Sequence, residues 1–143
     1  MKRPIHILLV EDNEGDILLT KEAMDERKIY SKLSIARDGQ EALDFVYKNN
    51  QFKDAEEPDL ILLDINLPKR SGNEVLQTLK SDDKYKHIPI LMLTTSSSKK
   101  DIMTSYRNYA NSFITKPVEV DQFQEAMASV EDFWLQTASL PKA

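Results

Sequence analysis

Five short apolar runs recur along this chain, at Ile5–Val10, Leu33–Ala36, Leu60–Leu63, Ile90–Leu93 and Ser112–Thr115. The first, third and fourth are continuous rather than alternating. That is the pattern of strands covered on both faces, and it points to a parallel sheet with helices packed above and below. The segments between them read as helices. Asp38-Gly39-Gln40-Glu41 and Ser71-Gly72-Asn73-Glu74 match the capping box, in which the first side chain caps an early amide and the acid three residues on reaches back. Ser98-Lys99-Lys100-Asp101 is a weaker example, because two lysines in a first turn oppose the helix dipole. The first helix is predicted from about Asn13–Asp16 to Lys28, and Asn49–Pro58 is a polar loop before the third strand. In the last helix Phe123, Met127, Val130 and Trp134 share one face, with Ala126 alongside, which makes a core stripe and leaves Phe133 and Leu135 at or beyond its edge.

The order is therefore (βα)₅. Right-handed crossovers with helices on both faces make it an α/β, doubly wound, five-stranded parallel sheet. The expected strand order is 2-1-3-4-5, the flavodoxin-like arrangement. At 143 residues the chain is read as one domain over 1–143, with a core at about 5–136 and a short C-terminal extension at 137–143. There is no cysteine, which removes thiol chemistry and disulfides and fits a reducing compartment. No stretch approaches the roughly 18 apolar residues of a membrane span, so a cytoplasmic protein is expected. A net charge of −5 argues against nucleic-acid binding, which leans on Lys and Arg. The length leaves no room for a separate DNA-binding domain, and output by protein–protein contact follows.

Parallel strands point one way, so the residues that follow them collect at one edge, where open α/β sheets bind ligands. Glu11-Asp12 follow the first strand, Asp64 the third, Thr94-Thr95 the fourth and Lys116 the fifth. Acids at strand ends are commonly solvated loop residues, but here they come from separate strands and converge with a lysine. Two like charges 4 Å apart cost about 1 kcal/mol in water and about 4 at an effective dielectric near 20. One lysine cannot neutralise three acids, whereas a divalent cation can, and oxygen ligands suit Mg²⁺. With Mg²⁺ and Lys116 supplying charge from two sides, Asp64 becomes a candidate nucleophile for a phosphoryl group, and Thr94 a donor to a phosphoryl oxygen. His6 and His87 have no partner at metal-ligand spacing and read as structural.

At these strand ends the chain resembles the response-regulator receiver family of the chemotaxis-receiver type. The resemblance is carried by Leu8-Leu9-Val10-Glu11-Asp12-Asn13, Leu62-Leu63-Asp64-Ile65-Asn66-Leu67-Pro68, Ile90-Leu91-Met92-Leu93-Thr94 and Ile114-Thr115-Lys116-Pro117. It implies that Asp64 is the phosphoacceptor and that Asp12 holds Mg²⁺ directly, Glu11 through water and Asn66 by its backbone carbonyl. It also implies that Lys116 pairs with the phosphoryl group, that Thr94 and Phe113 form the switch pair, and that Lys116–Pro117 is cis. A core Phe on the fifth strand would look no different at Phe113. Asn13-Glu14-Gly15-Asp16-Ile17-Leu18-Leu19, Ser105-Tyr106 with Ala110-Asn111, and Phe133-Trp134-Leu135 are similar to the small regulators paired with phytochrome-type histidine kinases. Such a kinase is the partner implied.

In receivers the fourth helix, fifth strand and fifth helix read out the phosphorylated state, here roughly Lys99–Tyr109, Ser112–Thr115 and Glu119–Gln136. Lys100, Asp101, Arg107, Asp121 and Glu125 mix signs on that face, which suits a two-fold contact, and a homodimer through it is expected. Two rival readings are an aspartate-nucleophile phosphatase and a phosphate-independent scaffold. The first wants a second aspartate two residues after Asp64, where Asn66 stands, and the intact acids, threonine and lysine speak against the second.

Overall fold

The computed structural model describes residues 4–27 and 31–141. The strands are β1 (Ile5–Val10), β2 (Ser31–Ala36), β3 (Leu60–Leu63), β4 (Ile90–Thr94) and β5 (Ser112–Thr115). The helices are α1 (Glu14–Arg27), α2 (Gly39–Tyr47), α3 (Gly72–Lys80), α4 (Lys99–Arg107) and α5 (Val120–Val130). All pairings are parallel, as the continuous apolar runs predict, and the strand order is β2-β1-β3-β4-β5, the expected flavodoxin-like arrangement. The predicted end of α1 at Lys28 lies outside the described residues, and the polar loop before β3 holds a single 3-10 turn at Asn50–Phe52.

The unbroken apolar runs are explained by two cores. Leu8, Val10, Ile61, Leu63, Ile90 and Met92 face one side, where Val46 of α2 and Val75, Leu76 and Leu79 of α3 pack. Their neighbours Ile7, Leu9, Leu60, Leu62, Leu91 and Leu93 face the other, against Ile17 and Met24 of α1 and Phe123, Met127 and Val130 of α5. With a period of two, a strand buried on both faces must be apolar at every position. The edge strands β2 and β5 are only half-buried.

The three N-caps form as read: Asp38, Ser71 and Ser98 accept from the N–H of Glu41, Glu74 and Asp101. Glu41 reaches back one residue further than a capping box requires, to the Arg37 N–H at 3.2 Å.

The α-helical stripe holds through Phe123, Met127 and Val130, but from Glu131 to Thr137 the helix widens to a π-helix. The Ala138 N–H donates five residues back, to the Phe133 carbonyl at 2.6 Å. The wider turn rotates the later side chains relative to α-helical spacing; Leu135 is buried in the same core as Val130, while Trp134 is half-buried and Phe133 exposed. The 100° spacing that set Leu135 aside does not apply past Val130.

His6 is a structural histidine, as expected. It is buried, its Nε2 lies 2.8 Å from Ser34 Oγ and its backbone N–H donates to Asp59 Oδ2 at 2.8 Å. Burial pushes its pKa down, with the Glu57 carbonyl contact opposing. His87 Nε2 lies 3.4 Å from Glu57 Oε2.

Two glycines set how closely helices approach the strand ends. A Cβ on Gly72 would stand 2.0 Å from the Asp64 carbonyl oxygen, and one on Gly39 2.0 Å from that of Arg70. Both contacts are with backbone, which cannot swing aside. Gly72→Ala is expected to lower stability by about 1–3 kcal/mol through overpacking, measured by urea unfolding. A substitution within about 0.5 kcal/mol of wild type would show that the α3 start is not held against β3.

Candidate functional site

Register brings the site together. Val10 pairs with both Ala36 and Leu63, Leu63 with Met92, and Thr94 with Thr115. The residues just beyond, Glu11, Asp64 and Lys116, therefore stand at one edge with Thr94. Backbone bonds continue the ladders to them: Glu11 N–H to Ala36 C=O at 3.0 Å, Asp64 N–H to Val10 C=O at 3.2 Å, and Lys116 N–H to Thr94 C=O at 2.7 Å. All four residues are buried.

The Lys116 ammonium donates to three carboxylates: Glu11 Oε1, Asp16 Oδ2 at 2.9 Å and Asp64 Oδ2 at 3.1 Å. Sequence reasoning found Glu11, Asp64, Thr94 and Lys116 but missed Asp16. Its signal was an acid five residues after Glu11, in the first turn of a helix that leaves the same strand end; the helix dipole already accounts for an acid there. Asp12 and Asn66 are exposed, and the Asn66 N–H donates to Asp64 Oδ1 at 3.2 Å. Thr94 Oγ1 accepts from the Ser96 N–H at 3.3 Å. Phe113 is half-buried against the α2–α3 core, and its N–H donates to Tyr106 Oη at 3.1 Å. One expectation is corrected: no peptide bond among the described residues is cis, so Lys116–Pro117 is trans. The trans form of an X–Pro bond is the one favoured in the absence of other constraints, and Lys116 reaches all three acids from it.

Burial raises the pKa of Glu11 from its ordinary 4.5 to about 7; the Lys116 bond opposes the rise and the Asp64 charge adds to it. For Lys116 burial alone would lower the pKa, but the bonds from Glu11 and Asp16 and the charge of Asp64 carry it above its ordinary value. Burial therefore outweighs the lysine at Glu11, and the charge of Asp64 is a smaller contribution.

Among the described residues no three acidic or imidazole groups stand together as a metal cage; Glu11, Asp16 and Asp64 each bond the Lys116 ammonium instead. The donor set still fits a hard divalent ion. It is all oxygen, its acids outnumber its one lysine, and the exposed Asp12 follows Glu11 in the chain.

A sequence profile of the response regulator receiver domain matches residues 7–128. The chain belongs to the response regulator receiver family. It is 39% identical over 140 residues to response regulator Rcp1 of Synechocystis sp., covering 98% of this chain and 95% of that protein. The crystal structure of the Mn²⁺-bound form of Rcp1 superimposes with a TM-score of 0.94 at 38% identity, over 97% of this chain and 100% of that one. The phosphorylated cyanobacterial phytochrome response regulator RcpA does so with a TM-score of 0.94 at 42% identity, over 97% and 99%. The bacteriophytochrome response regulator AtBRR gives 0.76 at 40%, over 99% and 100%. The receiver is thus homologous to phytochrome response regulators. No helix among the described residues is long and apolar enough to cross a membrane.

Because Glu11 has a folded-state pKa above its unfolded one, its contribution to stability is complete below about pH 4.5 and is lost as pH rises through about 7. In divalent-free buffer, wild type is expected to lose stability relative to Glu11→Gln between pH 5 and 8, by at most about 1.4 kcal/mol per pH unit. Urea unfolding across that range measures it. A constant difference would mean that Glu11 ionises as an ordinary carboxylate.

Proposed function

We propose that this receiver accepts a phosphoryl group on Asp64 from the phosphohistidine of a histidine kinase, a phytochrome-type light-sensing kinase in view of its relatives. The observation that carries the reading is the buried Asp64 carboxylate at the end of β3, 3.1 Å from Lys116 Nζ. An Asp64 oxygen would bond to phosphorus as the bond from phosphorus to the kinase's imidazole nitrogen breaks, and the electron pair leaves on that nitrogen. Glu11, Asp12, Asp64 and the Asn66 carbonyl would hold Mg²⁺. When bound, the ion supplies positive charge against the transferring oxygens. Lys116 supplies charge from within the chain, and the Thr94 hydroxyl is a donor within the same buried edge. Asn66 offers no carboxylic acid for turnover of a substrate, which favours a stored aspartyl phosphate over a phosphatase.

The output face follows from packing. Within α4 only Ser105 is buried, its hydroxyl 3.4 Å from Asn73 Oδ1. A helix held by so little can shift its equilibrium position when Thr94 and Phe113 respond beside it. Of the large exposed apolar side chains among the described residues, Met103, Tyr106, Tyr109, Val118, Val120 and Phe133 lie on or next to α4 and α5, and Leu18 alone lies elsewhere. The face therefore suits a protein partner, and a second copy of the chain is the reading its mixed charges favour.

Incubation with acetyl phosphate and Mg²⁺ is expected to add one phosphoryl group, detected by intact-protein mass, with none added to Asp64→Asn or without Mg²⁺. An unchanged wild-type mass would defeat the reading, and continuous phosphate release would favour a phosphatase. Sedimentation is expected to show a dimer that strengthens on addition of a phosphoryl mimic; a monomer at high concentration in both states would remove the dimer.

A further inference from the structure

Asp16 stands at the third position of α1, where an acid has two ordinary local uses. It can favour the positive end of the helix dipole, or reach back to the N–H of the capping residue. The second use is closed here. The Asn13 N–H already donates to Glu11 Oε2 at 3.3 Å, and Asn13 Oδ1 accepts from the Asp16 N–H at 2.9 Å, which fixes the first turn. The Asp16 side chain turns to the sheet edge, where its Oδ2 accepts from Lys116 Nζ at 2.9 Å.

An ammonium has three N–H donors. Those of Lys116 go to Glu11, Asp16 and Asp64, so none is left over for a phosphoryl oxygen. The donor held by Asp64 passes to the phosphoryl group carried there, and any second Lys116 contact to that group must come from Glu11 or Asp16. The side chains of Glu11 and Asp64 are 3% and 9% exposed, that of Asp16 27%. A carboxylate that loses its partner inside the protein stays desolvated, whereas one near the surface regains water. The Asp16 contact is the one that opens at least cost.

We infer that Asp16 is a positioning residue that holds Lys116 in the unphosphorylated chain and gives it up to the phosphoryl group, so that the Asp16–Lys116 pair opposes the phosphorylated state. The inference rests on the phosphoacceptor reading of Asp64. It gives the edge a built-in competitor: the same lysine serves a resting contact and an active one, and the difference between them sets how far the equilibrium moves.

The test is the affinity for beryllofluoride, a non-covalent phosphoryl mimic, at saturating Mg²⁺ for each protein, followed by amide NMR shifts of Asp64, Thr94 and Lys116. Asp16→Asn keeps the shape and removes the charge. It is expected to bind beryllofluoride about two- to five-fold more tightly than wild type, the scale of a partly exposed ion pair. Glu14→Gln removes an equal charge from the same helical turn, on a side chain whose ion pair is with Arg37 and not Lys116, and is expected to leave the affinity unchanged. Unchanged or weaker binding by Asp16→Asn overturns the inference, and so does equal tightening in Glu14→Gln. Wild type that binds no beryllofluoride overturns the phosphoacceptor reading and this inference with it.

Discussion

A single ammonium group, Lys116 Nζ, is shared by carboxylates from three other parts of the chain: Glu11 after β1, Asp16 in α1 and Asp64 after β3. Glu11 and Asp64 would be costly where they stand without a positive neighbour, since a buried, unpaired carboxylate loses several kcal/mol of hydration. The lysine is therefore both the tie that gathers the carboxyl edge of the sheet and the reason the edge can be so acidic. It does not finish the neutralisation. Glu11 is held well above the ordinary carboxylate range because burial outweighs its share of the lysine. The physical basis for reading the edge as a place where a hard cation and a phosphoryl group meet is the gathering of Glu11 and Asp64 around one lysine at the strand ends.

The rest of the fold serves to put those groups there and to keep one side of the molecule loose. Parallel register fixes the heights of the strand ends, and the two apolar cores clamp β1, β3 and β4 from both faces. The glycine that opens α3 lets the helix start against the carbonyl of Asp64 itself. Packing is uneven around this frame. On one face α1 and α5 share the core through Ile17, Met24, Phe123 and Met127, whereas α4 buries Ser105 alone. Stability is thus concentrated where the acids are anchored and thin where the chain offers exposed aromatic and aliphatic groups. On the proposed reading, a phosphoryl group on Asp64 would act on the thinly packed α4.

Much of this was legible in the residues. The continuous runs Ile5–Val10, Leu60–Leu63 and Ile90–Leu93 announce strands covered on both faces, and the caps at Asp38, Ser71 and Ser98 announce helix starts, because both signals are local. Glu11, Asp64, Thr94 and Lys116 were readable as a cluster by one rule of topology, that successive parallel strands end at the same edge. The misses have separate causes. Leu135 was placed by α-helical spacing and is buried because the helix becomes π-helical after Val130. Asp16 has an adequate local explanation as a first-turn acid, and nothing in its neighbours says that its capping role is already taken by Glu11.

By itself, then, the sequence determined the element order, the two-sided core and which side chains share the sheet edge. Those follow from periodicity and from the direction of the chain, which any correct fold must respect. Only the tertiary structure decided how the charges at that edge are divided. Three acids compete for one lysine across 52 to 105 residues of chain, and the outcome turns on the burial of each group and on distances of a few ångströms. Coulombic and desolvation energies vary steeply over such distances, and spacing along a sequence carries no measure of them.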